Sequence, residues 1–77
     1  MRYVIQPSEE MPGWWVVTDT ENMIVCRFKH GDFNGSQKFT ALNDITSIEQ
    51  ARELPRLARE LADWLAKNHL DKVFPKK

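Results

Sequence analysis

The chain has 77 residues, 42% hydrophobic and 29% charged, values of a folded globular domain rather than a disordered segment. Eleven basic and eleven acidic side chains cancel, which excludes the excess positive charge behind strong nonspecific affinity for DNA or anionic lipid and leaves only local patches. The single cysteine, Cys26, rules out an internal disulfide and a four-cysteine zinc site and suits a cytoplasmic protein, and no stretch approaches the ~20 apolar residues that span a bilayer.

In chain order, "MRYVIQPSEE" lacks the apolar run of a signal peptide. Arg2 to Gln6 predict a first strand, ended by Pro7, whose missing N–H cannot join a ladder. "WWVVTD" (Trp14 to Asp19) and "MIVCRFK" (Met23 to Lys29) are the strongest strand signals and predict an antiparallel hairpin, with Asn22 as the left-handed residue of its turn. In residues 30 to 40, Asn34-Gly35 is a two-residue hairpin signal, so "SQKFT" reads either as a short fourth strand or as part of an irregular loop.

From Ser47 the apolar period lengthens. Thr46 or Ser47 can cap a helix, and Ile48, Ala51, Leu54, Leu57, Ala58, Leu61, Ala62 and Leu65 then recur at helical spacing, with charged residues on the opposite side. Pro55 removes one helical N–H and predicts a kink or two abutting helices. The expected fold is therefore α+β: a small antiparallel sheet of three or four strands over residues 2–40, packed on one long amphipathic helix over about 47–70, with a short basic tail at 71–77, all in a single domain.

No constellation of residues identifies a reaction. Cys26 and His30 lie ~13 Å apart along a continuing strand, too far for a nucleophile and its base. His30 and Asp32 offer two ligands where zinc needs three or four. Glycine-rich phosphate loops require a lysine and a following helix that "GDFNG" lacks. The expectation is a protein with neither catalytic site, cofactor nor metal.

The informative stretch is Trp14-Trp15. Successive side chains of a strand point to opposite faces, so only one of the two enters the core. A three-residue hairpin loop would send Trp14 and Val16 to the side of Ile24, Cys26 and Phe28; a two- or four-residue loop would send Trp15 and Val17 there. The other tryptophan then shares the far face with Met23, Val25, Arg27 and Lys29. One helix covers one side of a small sheet, which leaves that far face as the expected binding surface, since exposed patches with Trp and Arg mark interaction sites. Phe33, Phe39, Leu42 or Val73-Phe74 could fold over it instead.

Three or four strands followed by one long helix resembles, in outline only, the arm-site DNA-binding domains of tyrosine integrases, AP2-type domains and double-stranded-RNA-binding domains. The resemblance carries no matching functional residue, and the first 46 residues hold four basic side chains (Arg2, Arg27, Lys29, Lys38) against six acidic ones, unlike those basic sheets. The reading is thus a non-catalytic module that binds a protein partner or a second copy of itself. The alternative is a nucleic-acid binder, with the free tryptophan stacked on a base and Arg27, Lys29 and Lys38 on phosphates. Arg52, Arg56 and Arg59 form one helical stripe and are further candidates for phosphate, although Glu60 and Asp63 can neutralise two of them. A small inhibitor or accessory subunit of an enzyme is the third possibility.

Overall fold

The computed structural model describes residues 2–42 and 47–73. Thr46 as a possible cap, Phe74 as a packing residue and the end of the basic tail lie outside these. Four strands form one antiparallel sheet in chain order: β1 (Tyr3–Pro7), β2 (Trp14–Asp19), β3 (Ile24–Lys29) and β4 (Lys38–Ala41). A short helical turn, α1 (Phe33–Ser36), joins β3 to β4. The long helix α2 (Ile48–Asn68) and a last turn, α3 (Leu70–Val73), follow. The α+β expectation holds, and the fourth strand exists.

Register follows from the β2–β3 connection. Asp19 pairs with Ile24 and Trp15 with Phe28, so residues 20–23 form a four-residue loop. Its organiser is Asp19. The carboxylate accepts the backbone N–H groups of Glu21 and Asn22 and the Asn22 side-chain amide, at 3.1, 3.1 and 3.0 Å. Asn22 is held in this turn through both donors, and the left-handed position expected for it passes to Met23, at φ 55°. Met23 therefore belongs to the turn, and β3 begins one residue later than its apolar run suggested.

Three other local expectations change. Pro7 pairs with Trp15 as the last residue of β1, which an edge strand tolerates because its outward side needs no donor. Asn34-Gly35 sits within α1 rather than in a hairpin turn. A Cβ at Gly35 would come within 2.6 Å of Asp32 Oδ1, the end of an exposed side chain that can turn aside, and the helical turn delivers Phe33 to the core. Finally, α2 runs through Pro55 as one helix and not as two abutting ones, and it ends at Asn68, with the His69 N–H donating to the Leu65 carbonyl. Ser47 is the N-cap and accepts the Gln50 N–H at 3.2 Å.

The core lies between the sheet and the second half of α2. Val17, Cys26 and Phe28 from the sheet meet Leu61 and Leu65 from the helix, all five with no exposed surface, and Tyr3, Phe33 and Val73 close the edges. Phe33 meets Phe28 edge-on at 5.2 Å between centroids. Each such side chain contributes roughly 1.5–3 kcal/mol on burial. Phe33 and Val73 are thus used on the helix side and do not cover the far face.

At 21 residues α2 is about 31 Å long, whereas a six-residue strand spans about 20 Å. Its first turns overhang. Ile48 is 72% exposed and Leu54 only half-buried, so the apolar stripe read from the sequence is longer than the surface available to cover it.

Candidate functional site

Trp15 takes the core side, as the four-residue loop requires. It is half-buried, its Nε1–H donates to His30 Nδ1 at 3.0 Å, and the Lys72 ammonium lies 5.1 Å from its ring centroid. The indole joins the end of β3 to α3, which a second bond, Gly31 N–H to the Lys72 carbonyl at 2.8 Å, also ties down. Trp15 is thereby a packing residue.

Trp14 points the other way. It pairs with Lys29 across β2 and β3, is half-buried, and has no stacked ring or side-chain hydrogen bond among the described residues. Strand alternation puts Val16, Val25, Arg27, Lys29 and Lys38 on the same face. Arg27 lies directly opposite Lys38 in the β3–β4 register, and Lys29 is two residues farther along β3. All three cations are exposed, and among the described residues none has a carboxylate partner.

The strands contribute no acid to this face. Asp19 and Glu21 are turned to Arg2, Glu9 and Glu10 lie in the β1–β2 loop at the Trp14 end, and Asp32, bridged to Lys29 through the backbone just past β3, makes no ion pair with it among the described residues. The patch expected from the sequence is also less apolar than it promised. Met23 has left for the turn, and Val25, flanked across the sheet by Thr18 and Thr40, is 5% exposed. What remains is one tryptophan beside three cations that have no carboxylate partner among the described residues. Two like charges facing each other across adjacent strands destabilise a sheet unless something anionic lies between them.

The helix arginines are arranged differently. Arg56 bonds Glu53 and Glu60, whereas Arg52 and Arg59 are exposed without such bonds among the described residues, on a face that also carries Glu49 and Asp63. The expected Arg56–Glu60 pair forms at 3.3 Å. The expected Arg59–Asp63 pair does not form among the described residues, so only Arg56 of the three is neutralised by an ion pair.

The buried thiol of Cys26 has its pKa pushed up to about 12 by desolvation, the state of an inert structural cysteine. His30 is occupied by Trp15, and no group of three metal-ligating side chains occurs among the described residues. No helix is long and apolar enough to cross a membrane among them either.

Two features were missed in the sequence. Trp64 packs on Tyr3 at 5.1 Å and on His69 at 5.0 Å, and with Val4 and Ile5 these residues line an open groove of about 240 Å³ beside edge strand β1. Its spacing from Leu57 and Leu61, seven and three residues, was a legible signal for the flank of the buried stripe. The second is Asp19, wholly buried, with Arg2 Nη2 at 3.1 Å from its carboxylate and 3.0 Å from that of Glu60 on α2. Burial alone would raise the Asp19 pKa; the hydrogen bonds from Arg2 and Asn22 outweigh it and hold the carboxyl below its usual value. No protein-family model, curated protein or solved structure matches the chain.

Proposed function

We propose that this protein is a non-catalytic interaction module that binds an anionic partner through the sheet face opposite the helix. The observation that carries the reading is the direct pairing of Arg27 with Lys38, beside Lys29, on a face whose strands supply no acid. Side chains so placed repel one another in the free protein and are relieved when a negative group enters. Complementary potential of this kind favours encounter with a polyanion and disfavours like-charged partners.

The same charges weigh against a symmetric dimer built on this face. An isologous interface sets each patch against its copy and would bring six cations together. A purely hydrophobic contact is also weakened, because Val25 is buried and Met23, although exposed, lies in the turn and not on β3.

The test is binding of heparin, a general polyanion, followed by tryptophan fluorescence at low salt. Wild type is expected to bind and to lose affinity as salt rises, and the double variant Arg27→Gln, Lys38→Gln is expected to bind much more weakly. Removal of the helix cations by Arg52→Gln, Arg59→Gln should change little. Equal loss from both pairs, or no binding by wild type, would overturn the assignment to this face.

A further inference from the structure

Resting on that reading, we infer that the anionic partner is a single-stranded polynucleotide, bound with a base stacked on Trp14 and phosphates on Arg27, Lys29 and Lys38. Charge complementarity selects a polyanion; the aromatic ring selects among polyanions. Trp14 lies on the same face as the three cations and, unlike Trp15 and Trp64, has no ring or hydrogen-bond partner among the described residues. A ring left in that state beside unpaired cations is the pairing of groups that single strands require, since every base has a π-face and every nucleotide a phosphate.

The dimensions agree. Strand spacing of ~4.8 Å sets Arg27 and Lys38 side by side, and the two-residue step from Arg27 to Lys29 is ~6.6 Å. Trp14 on β2 lies across from Lys29 on β3, so the ring and its nearest cation are neighbours rather than opposite ends of the surface. Four strands give a platform only ~14 Å wide, room for a few nucleotides in an extended path. A duplex keeps its bases stacked inside and offers Trp14 nothing to stack on. An acidic peptide would satisfy the cations but leaves the ring unused. Glu9 and Glu10 in the β1–β2 loop bound the patch at the Trp14 end and direct the strand toward β3 and β4.

The experiment measures fluorescence anisotropy of a labelled 15-nucleotide oligo(dT), with an abasic strand of equal length, a blunt duplex and poly-glutamate as competitors. Oligo(dT) is expected to bind best, and its log K is expected to fall with log salt at a slope of about −2, the value for three phosphate contacts on a single strand. Trp14→Ala should weaken oligo(dT) by about five-fold or more without weakening the abasic strand, while Trp14→Phe restores part of the loss. Arg27→Gln, an exposed substitution with no folding risk, should reduce the salt slope by about 0.7.

If the abasic strand binds as tightly as oligo(dT) and Trp14→Ala and Trp14→Phe are both without effect, base stacking is wrong while the anionic-partner reading survives. Tighter binding of poly-glutamate would replace the polynucleotide with an acidic protein. Failure of every polyanion, heparin included, would overturn both readings.

Discussion

The two sides of the sheet differ in how completely their side chains are engaged. On the helix side Trp15 is bonded to His30 and lies under Lys72, Tyr3 stacks on Trp64, Phe28 meets Phe33, and the buried carboxylate of Asp19 is ligated by Arg2 and the turn it organises. On the far side, one residue away in sequence, Trp14 and three cations have no such partners among the described residues. A small domain has little stability to spare, ~0.05–0.15 kcal/mol per residue, and like charges held in register are a cost that an anionic ligand on this face would offset. The contrast separates residues that hold the fold from those available to a ligand.

The largest expected effect tests the engaged side. Leu61→Ala removes a fully buried side chain at the centre of the helix contact and should cost about 3 to 5 kcal/mol, a large part of the total stability. Leu54→Ala, in the overhanging part of α2 and only half-buried, should cost clearly less. Urea denaturation of both variants checks this, and equal losses would mean that α2 is covered along its whole length.

Next come the tryptophans. Trp15→Ala should lose about 3 kcal/mol, the low end for a large aromatic because the ring is half-buried and not fully enclosed. Trp14→Ala should lose less than about 1 kcal/mol, the usual scale for substitutions outside the core. Melts of the two variants decide the matter, and two equal losses would erase the difference between the faces.

The strands, the helix and its cap were legible because apolar periodicity reports which side of an element is buried. It does not report how much opposing surface exists. Ile48, Leu54 and Leu61 look equivalent in the sequence, and only the lengths of strands and helix, assembled, show that Ile48 has nothing to cover. The ambiguity over Trp14 and Trp15 had the same origin: a one-residue change in loop length inverts a strand, and the loop is set by Asp19, a residue that reads as ordinary turn polarity. Arg27 and Lys29 were placed on the far face by alternation, but the facing of Arg27 with Lys38 depends on the β3–β4 register, which the segment around Asn34-Gly35 concealed by folding as a helical turn.

Asp19 gives the third prediction. Its folded pKa lies below the unfolded value of ~3.9, so the stability it contributes is present above that pH and is lost as pH falls through the folded pKa. Asp19→Asn should cost about 2 kcal/mol near neutrality, allowing for an Arg2 partner that is partly exposed, and should flatten the acid limb of the stability profile. Urea melts from pH 7 to pH 2 measure both effects. A variant with an unchanged acid limb would show that another carboxylate governs acid unfolding.

The smallest effect is also the one with the most specific sign. Exposed charged residues are ordinarily near-neutral when replaced, but Arg27 and Lys38 face each other across neighbouring strands, and like charges in that relation cost roughly 0.2 to 1 kcal/mol. Lys38→Glu converts repulsion into attraction and should therefore raise stability by about that amount at low salt. In 1 M salt, where the screening length falls to ~3 Å, the gain should shrink markedly. The same substitution should weaken polyanion binding, so stability and function would move in opposite directions at a single exposed position. Paired urea melts at the two salt concentrations, with heparin binding measured on the same protein, distinguish this from a simple packing change, which salt would not reverse. A destabilised Lys38→Glu variant at low salt would mean that the two side chains do not face each other, and with their facing would go the argument that this side of the sheet is held ready for an anion.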